Sequence, residues 1–366
     1  MKALIATCFE SNEERASFVY DACIKKGLDA VLLTSDFSHM RKTKRESIPE
    51  HFNALHARPY HKNLSVKRMY SHYRFAKDLF VRIEEEDPDL IWLMAPANSL
   101  IKEAETYKKK HPEKKLIIDI IDMWPESLPM DISKDVFPLS LWRNIRRKHI
   151  GCADLLVSEC DLYQNILSKE YKGRIKTIRW ARKGSSIKTP CKADDDPFVL
   201  VYIGSINNII DTERIAKLIS SINKPVVLHV IGEGENTSSF IKQLGEVCEV
   251  IYHGPIRDEE KKKAIFELCH SGINIYKEGL YIGLTVKCID YFQHGLPIIN
   301  NIKGDTSDLV ERYQAGINVD ENNSIDEEKL IQMRKNNQNI YALFDENLSY
   351  AVFEKECMDL IEEVMQ

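Results

Sequence analysis

The chain has 366 residues, 43% of them hydrophobic and 29% charged, with a formal net charge of −5. That length supplies two domains with their own cores, and no apolar run reaches the ~18 residues that a bilayer span needs. The nine cysteines are scattered without a C-x-x-C pair or a His/Cys cluster at ligand spacing, which excludes a disulfide scaffold and leaves no metal motif.

Short apolar runs alternate with helical patterns throughout, the signature of parallel sheets wrapped by helices. The first block predicts strands at 3–7, 30–33, 90–94, 116–121, 155–158 and 176–178, with helices over 12–26, 65–85, 98–110, 139–150 and 161–169. Met1 leads straight into the first strand, so no signal peptide is expected and the chain is placed in the cytoplasm. A polar stretch at 186–197 reads as a linker between a domain of 1–185 and one of 198–346. In the second block strands fall at 198–203, 226–231, 250–252, 273–276, 297–300 and 316–319, and helices at 211–221, 238–245, 259–269, 286–294 and 306–313. The remaining 347–366 forms a last helix with no following strand, expected to pack back on the first domain.

Charge is divided unevenly: residues 1–190 carry 34 Lys+Arg against 26 Asp+Glu, and the remainder 17 against 30. The stretch from Arg41 to Lys77 is the most basic, and it reads equally as a solvated face or as an attraction to anionic surfaces or phosphate-bearing molecules. Nucleic-acid binding is disfavoured, because the rest of the chain is acidic and no recognised module is present.

Three strands of the second block run into glycine, at Ile203-Gly204-Ser205, Ile231-Gly232-Glu233-Gly234 and Tyr252-His253-Gly254-Pro255. In an open parallel sheet the ligand crevice lies beyond the carboxyl ends of the strands, and a missing Cβ lets backbone approach a ligand there. The segment from Gly283 to Ile299 then gives a turn, an amphipathic helix, a glycine stop and a buried strand. It sets Thr285 and Lys287 at a helix N-terminus, which favours phosphate, with Asp290 one turn on and able to reach a ribose hydroxyl.

In this order the motifs resemble the GT-B glycosyltransferases, most of all the retaining enzymes of glycosyltransferase family 4. Where family members often show Gly-Leu-Pro-x-Lys-x-x-Glu-Tyr, this chain has Gly283-Leu284-Thr285-Val286-Lys287-Cys288-Ile289-Asp290-Tyr291. In the first block Asp119-Ile120-Ile121-Asp122-Met123-Trp124-Pro125-Glu126-Ser127-Leu128-Pro129 is similar to the family's Asp-x-x-Asp-x-Trp-Pro-Glu-Ser segment. Read plainly, that segment is a proline-set turn with Trp124 in the core. Three departures stand out: Cys8-Phe9-Glu10-Ser11-Asn12 replaces a glycine-rich loop, no Arg/Lys pair follows Gly204, and Glu278 and Asp290 have eleven residues between them where the family's acids are separated by seven.

The resemblance implies an α/β fold of two facing Rossmann-like domains and sugar transfer from a nucleotide donor, a UDP-sugar in preference, with retention and without a metal or cofactor. It gives catalytic roles to Asp122, Glu278 and Lys287, and diphosphate or nucleotide contacts to Gly204, Ser205, Gly232, His253, Gly254, Thr285, Lys287 and Asp290. The donor sugar would meet Glu278, Gly279, Leu280, Tyr281, Ile282 and Gly283, and the acceptor would meet Asp119, Asp122 and Trp124. Plainer readings compete, with Lys287 and Asp290 as helix-surface residues and His253 as a strand-end structural residue. The acceptor implied is a saccharide or a polyprenyl-diphosphate-linked sugar of cell-surface polysaccharide, O-antigen or capsule. Leu139, Leu141, Trp142 and Ile145 among Arg143, Arg146, Arg147 and Lys148 would, if exposed, hold the protein on an anionic inner membrane face; otherwise Trp142 is core. A sugar-nucleotide epimerase or phosphorylase of the same fold, and a degenerate transferase-like binding subunit, are the alternatives.

Overall fold

The computed structural model describes residues 1–63, 65–128, 135–137, 139–320 and 324–366. In chain order the first elements are β1 (Lys2–Ala6), α1 (Glu13–Lys25), β2 (Asp29–Ser35), a short hairpin of β3 (Phe37–Ser38) and β4 (Thr43–Lys44), β5 (Phe52–Leu55), α2 (Val66–Glu86), β6 (Leu90–Ala95), α3 (Asn98–Lys110), β7 (Lys115–Ile120), α4 (Leu139–His149), β8 (Leu155–Ser158), α5 (Gln164–Glu170) and β9 (Ile175–Thr177). Seven of the strands form one sheet in the order β5-β2-β1-β6-β7-β8-β9. Every pairing in it is parallel, with Ala3 of β1 opposite Ala30 and Leu90. Ser65 starts α2 by accepting the Arg68 N–H at 3.2 Å.

The second series is β10 (Phe198–Ile203), α6 (Thr212–Ser220), β11 (Val226–Ile231), α7 (Thr237–Leu244), β12 (Glu249–Gly254), α8 (Glu259–Phe266), β13 (Ser271–Asn274), α9 (Val286–Gln293), β14 (Ile298–Asn300), α10 (Asp305–Tyr313), β15 (Gly316–Asn318), α11 (Glu327–Lys335), α12 (Gln338–Asn347) and α13 (Tyr350–Met365). Its six-stranded sheet runs β12-β11-β10-β13-β14-β15, again parallel. Along β10 the residues alternate between two cores: Phe198, Leu200 and Tyr202 pack on one face, Val199 and Val201 on the other. A strand covered on both faces needs a continuous apolar run, which is why its pattern does not alternate. Asp211, Asp258 and Asp326 start α6, α8 and α11 by accepting backbone N–H groups.

In each sheet the order reverses at the first strand, β1 or β10, so both are Rossmann-like and each has its crevice at that switch point. The chain divides into one unit of Met1–Arg179 with Phe353–Gln366 and a second of Trp180–Val352. Within the first unit Phe353 meets the ring of Phe18 edge-on at 5.5 Å, and Glu354 pairs with Lys25 at 2.6 Å. The stretch expected as a linker is part of the second unit. Ser186 donates its N–H to Asp345 at 2.7 Å, and the buried Thr189 hydroxyl lies 2.9 Å from His294 Nδ1.

Candidate functional site

The second sheet's strand ends are tied together by main chain. Gly204 donates its N–H to the Ile231 carbonyl at 2.9 Å, and Gly232 donates to the Gly254 carbonyl at 2.9 Å. Gly232 has φ +135°, and a Cβ there would fall 2.0 Å from the Gly204 carbonyl oxygen. Gly232 is therefore required by packing against the neighbouring turn, and with Gly204 and Gly254, both at positive φ, it forms one backbone ledge.

Helix α9 follows β13, the neighbour of β10 across the switch point. Thr285 takes the N-cap position, yet its hydroxyl donates to Asn274 Oδ1 at 2.8 Å and leaves the first-turn amides without a side-chain cap. Lys287 is buried, and a Cβ on Gly204 would lie 3.7 Å from its Cε. Its ammonium sits 4.1 Å from the ring centroid of Tyr202 and 4.6 Å from that of Tyr276. Nζ has no hydrogen-bond partner among the described residues. Burial pulls its pKa down to about 7. A buried lysine between aromatic walls, beside a glycine ledge and a helix end without a side-chain cap, has the charge and geometry to receive an anion. Tyr202 and Tyr276 carry no sequence signal for this role; only their strand-end positions place them.

The other expected nucleotide contacts are distributed differently. Ser205 is exposed, and its carbonyl accepts the Tyr202 hydroxyl at 2.7 Å. His253 stacks on His229 at 5.1 Å with the two rings joined by a 2.8 Å nitrogen–nitrogen hydrogen bond, a structural pairing. Burial, then its neighbour, pushes His229 down to about 4. Asp290 is buried between Arg182, whose Nε lies at 3.1 Å, and Lys262, whose Nζ lies at 3.4 Å. Its carboxylate is occupied by two cations that the sequence did not connect to it.

Glu278 is largely exposed and faces Arg214 at 3.4 Å. It lines a polar cavity of about 550 Å³ with Asn300, Lys303 and Asp320, and Lys287 is not part of that lining. Gly279 has φ +78° with open space around it. Leu280, Tyr281 and Ile282 are half-buried, and Gly283 is buried, its carbonyl accepting both the Thr306 N–H and hydroxyl at 2.8 Å.

In the first unit the two aspartates separate. Asp119 is fully buried, gripped by Arg15 at 2.8 and 3.0 Å and by the Trp92 indole at 3.1 Å. The expectation that it faces an acceptor is corrected: it is the internal counter-ion of Arg15. Asp122, just past β7, is half-buried and accepts from Trp124 Nε1 at 2.6 Å and from Ser127 Oγ. Burial holds its carboxyl above the usual range despite those donors. Trp124 packs under the Arg68 guanidinium at 4.3 Å. Pro129 lies outside the described residues.

The alternative in which Trp142 is core holds for helix α4, whose Leu139, Trp142 and Arg146 are buried. Trp142 is buried and stacked on Trp124 at 5.7 Å, while Arg146 is buried and paired with Glu126 and Glu170. Of its basic and apolar residues, Leu141, Arg147 and Lys148 are exposed. No helix among the described residues is long and apolar enough to cross a membrane. No group of three metal-ligating side chains occurs among them either.

No family model and no curated protein matches the chain. Solved structures do. Sucrose-phosphate synthase from Thermosynechococcus elongatus aligns over 100% of this chain and 99% of its own, with a TM-score of 0.73 and 11% identity. The lipopolysaccharide outer core galactosyltransferase WaaB aligns over 99% of each chain at 0.65 and 14%. Anabaena HepE, solved in complex with UDP, aligns over 99% of this chain and 100% of its own at 0.67 and 12%. At these identities the likeness establishes the fold: two Rossmann-like domains of the GT-B type.

Proposed function

We propose that this protein is a glycosyltransferase that takes a sugar from a nucleoside-diphosphate donor, a UDP-sugar in preference. The observation that carries this reading is Lys287, buried between two tyrosine rings at the switch point of the second sheet, its Nζ without a hydrogen-bond partner among the described residues. A diphosphate would supply that anion, with the α9 amides and the Gly204 ledge completing the cradle. As the bond from the anomeric carbon to the β-phosphate oxygen breaks, negative charge grows on the leaving group, and a preorganised cation stabilises it. HepE has been solved with UDP-glucose, and this supports the choice of donor class. Retention, independence of metal, and a role for Asp122 on the acceptor side come from the motif resemblance. So does a saccharide or lipid-linked acceptor of cell-surface polysaccharide, handled at the cytoplasmic membrane face.

The test is calorimetry with UDP, GDP and dTDP, followed by a donor screen read as release of free nucleotide in the presence of lipid extract. Saturable binding of one nucleotide and turnover of its sugar support the reading. A folded preparation that binds none of them ends it, and interconversion of donors without an acceptor would make the protein an epimerase.

A further inference from the structure

Helix α3 stands to the first sheet as α9 stands to the second, following the strand that neighbours the first one across the switch point. Its N-cap residue is Ala97, which offers no side-chain cap; Leu100 donates its N–H to the Ala97 carbonyl at 3.0 Å, and the positive end of the helix favours an anion. A cavity of about 360 Å³ opens on this helix end. Two polar atoms in its lining are buried and unpartnered among the described residues: Nε2 of His72, a residue 5% exposed, and Oγ of Ser99. Lys102, one turn along α3, lines the same space. A buried polar atom without a partner costs free energy, and here two converge with a helix N-terminus and a lysine.

The rest of the wall is apolar. Trp142, Trp124 and His72 form a continuous stack, at 5.7 Å and 6.1 Å between successive rings. Val66, Tyr70 and Phe137 also line the cavity and are 81%, 51% and 80% exposed, so the apolar wall continues to the surface beside Lys67. Apolar side chains that protrude next to cations suit an anionic bilayer surface.

We propose that this cavity holds a phosphorylated prenyl or acyl chain, its phosphate at the α3 N-terminus on Ser99, His72 and Lys102, and its chain leaving along the tryptophans past Val66 and Phe137. Phosphate fits better than carboxylate because the donors are more numerous than two oxygens use well. A lipid fits better than a saccharide because the wall is mostly apolar and, among the described residues, no other buried side-chain polar atom in it is unpartnered. The proposal takes from the transferase reading only the placing of the acceptor on the first unit, and binding can be measured without turnover.

The experiment titrates the full chain with farnesyl phosphate, and separately with farnesol, inorganic phosphate, glucose 1-phosphate and UDP. Saturable binding of farnesyl phosphate is expected, with farnesol and inorganic phosphate each about tenfold weaker or more. Lys102→Glu and Val66→Asp, both at exposed positions, are each expected to weaken farnesyl phosphate about tenfold and leave UDP affinity unchanged. Absence of saturable farnesyl phosphate binding in a preparation that binds UDP overturns the proposal and leaves the transferase reading standing. So does farnesol binding as tightly, tighter binding of glucose 1-phosphate, or indifference to both substitutions. Farnesyl phosphate binding without UDP binding supports the lipid site and removes the transferase reading instead.

Discussion

The hydroxyl of Tyr291 on α9 accepts the N–H of Ile203 at the end of β10, at 2.9 Å. Strands β10 and β13 pair only through Leu200–Val201 and Ser271–Gly272, and beyond that the tyrosine bridges them, with the Val201 and Ile273 carbonyls 3.1 and 3.3 Å from its oxygen. Gly272 makes room, since a Cβ there would fall 2.7 Å from the ring. The same helix carries Lys287, so this hydroxyl fixes the height of the cradle against the strand. Tyr291→Phe leaves a buried N–H unpaired and is expected to cost about 1–3 kcal/mol of stability in urea melts. UDP affinity is expected to fall with it, while the lysine itself is untouched.

Lys287 makes the unliganded protein less stable than it would be with an apolar side chain. Its folded pKa is about 7 against 10.5 for the free group, so between those values the unfolded chain binds a proton that the folded one does not. Stability therefore rises with pH across that window and gains nothing further above it. Lys287→Met is expected to raise the thermal midpoint of the second unit by a few degrees, from removal of about 1–3 kcal/mol of unpaired buried charge. It is also expected to weaken UDP about a hundredfold. In the native protein UDP binding should take up a proton above neutral pH, so calorimetric enthalpies will change with the buffer and affinity will fall as pH rises.

At the ledge of strand ends, Gly232 fills a contact that no side chain can enter. Gly232→Ala would drive a Cβ into the Gly204 carbonyl at a φ of +135°, and about 3 kcal/mol of destabilisation is expected. Gly279→Ala, at φ +78° with nothing within 4 Å, is expected to cost about 1 kcal/mol from backbone strain alone. Comparing the two by chemical denaturation separates crowding from conformation.

Much of this was legible in the chain. The strands of both sheets announce themselves as buried apolar runs, and 226–231 is predicted to the residue because β11 pairs on both sides. What escaped has physical reasons. Edge strand β5 has exposed residues in its middle, the β3–β4 hairpin is only two residues deep, and the polar α11 has few apolar positions to set a period. At the site, Lys287 could be named from its place at a helix start. The rings that enclose it and the cations on Asp290 come from strand ends, a loop and helix α8, and only folding joins them.

The acidic segment at the end of β7 gives the sharpest contrast between neighbouring residues of one type. Asp119 answers Arg15 in a dry interior, so Asp119→Ala strands a buried guanidinium and is expected to cost about 3–5 kcal/mol, seen as early unfolding of the first unit. Asp122 reaches the strand end, where Trp124 and Ser127 hold its oxygens in place. Asp122→Asn keeps the shape and removes the charge, so stability should change by about 1 kcal/mol or less while sugar transfer falls by about a hundredfold or more. UDP affinity, which the proposal assigns to the second unit, should stay where it was. A variant that lost UDP binding together with transfer would show that Asp122 supports the fold and has no part in the reaction.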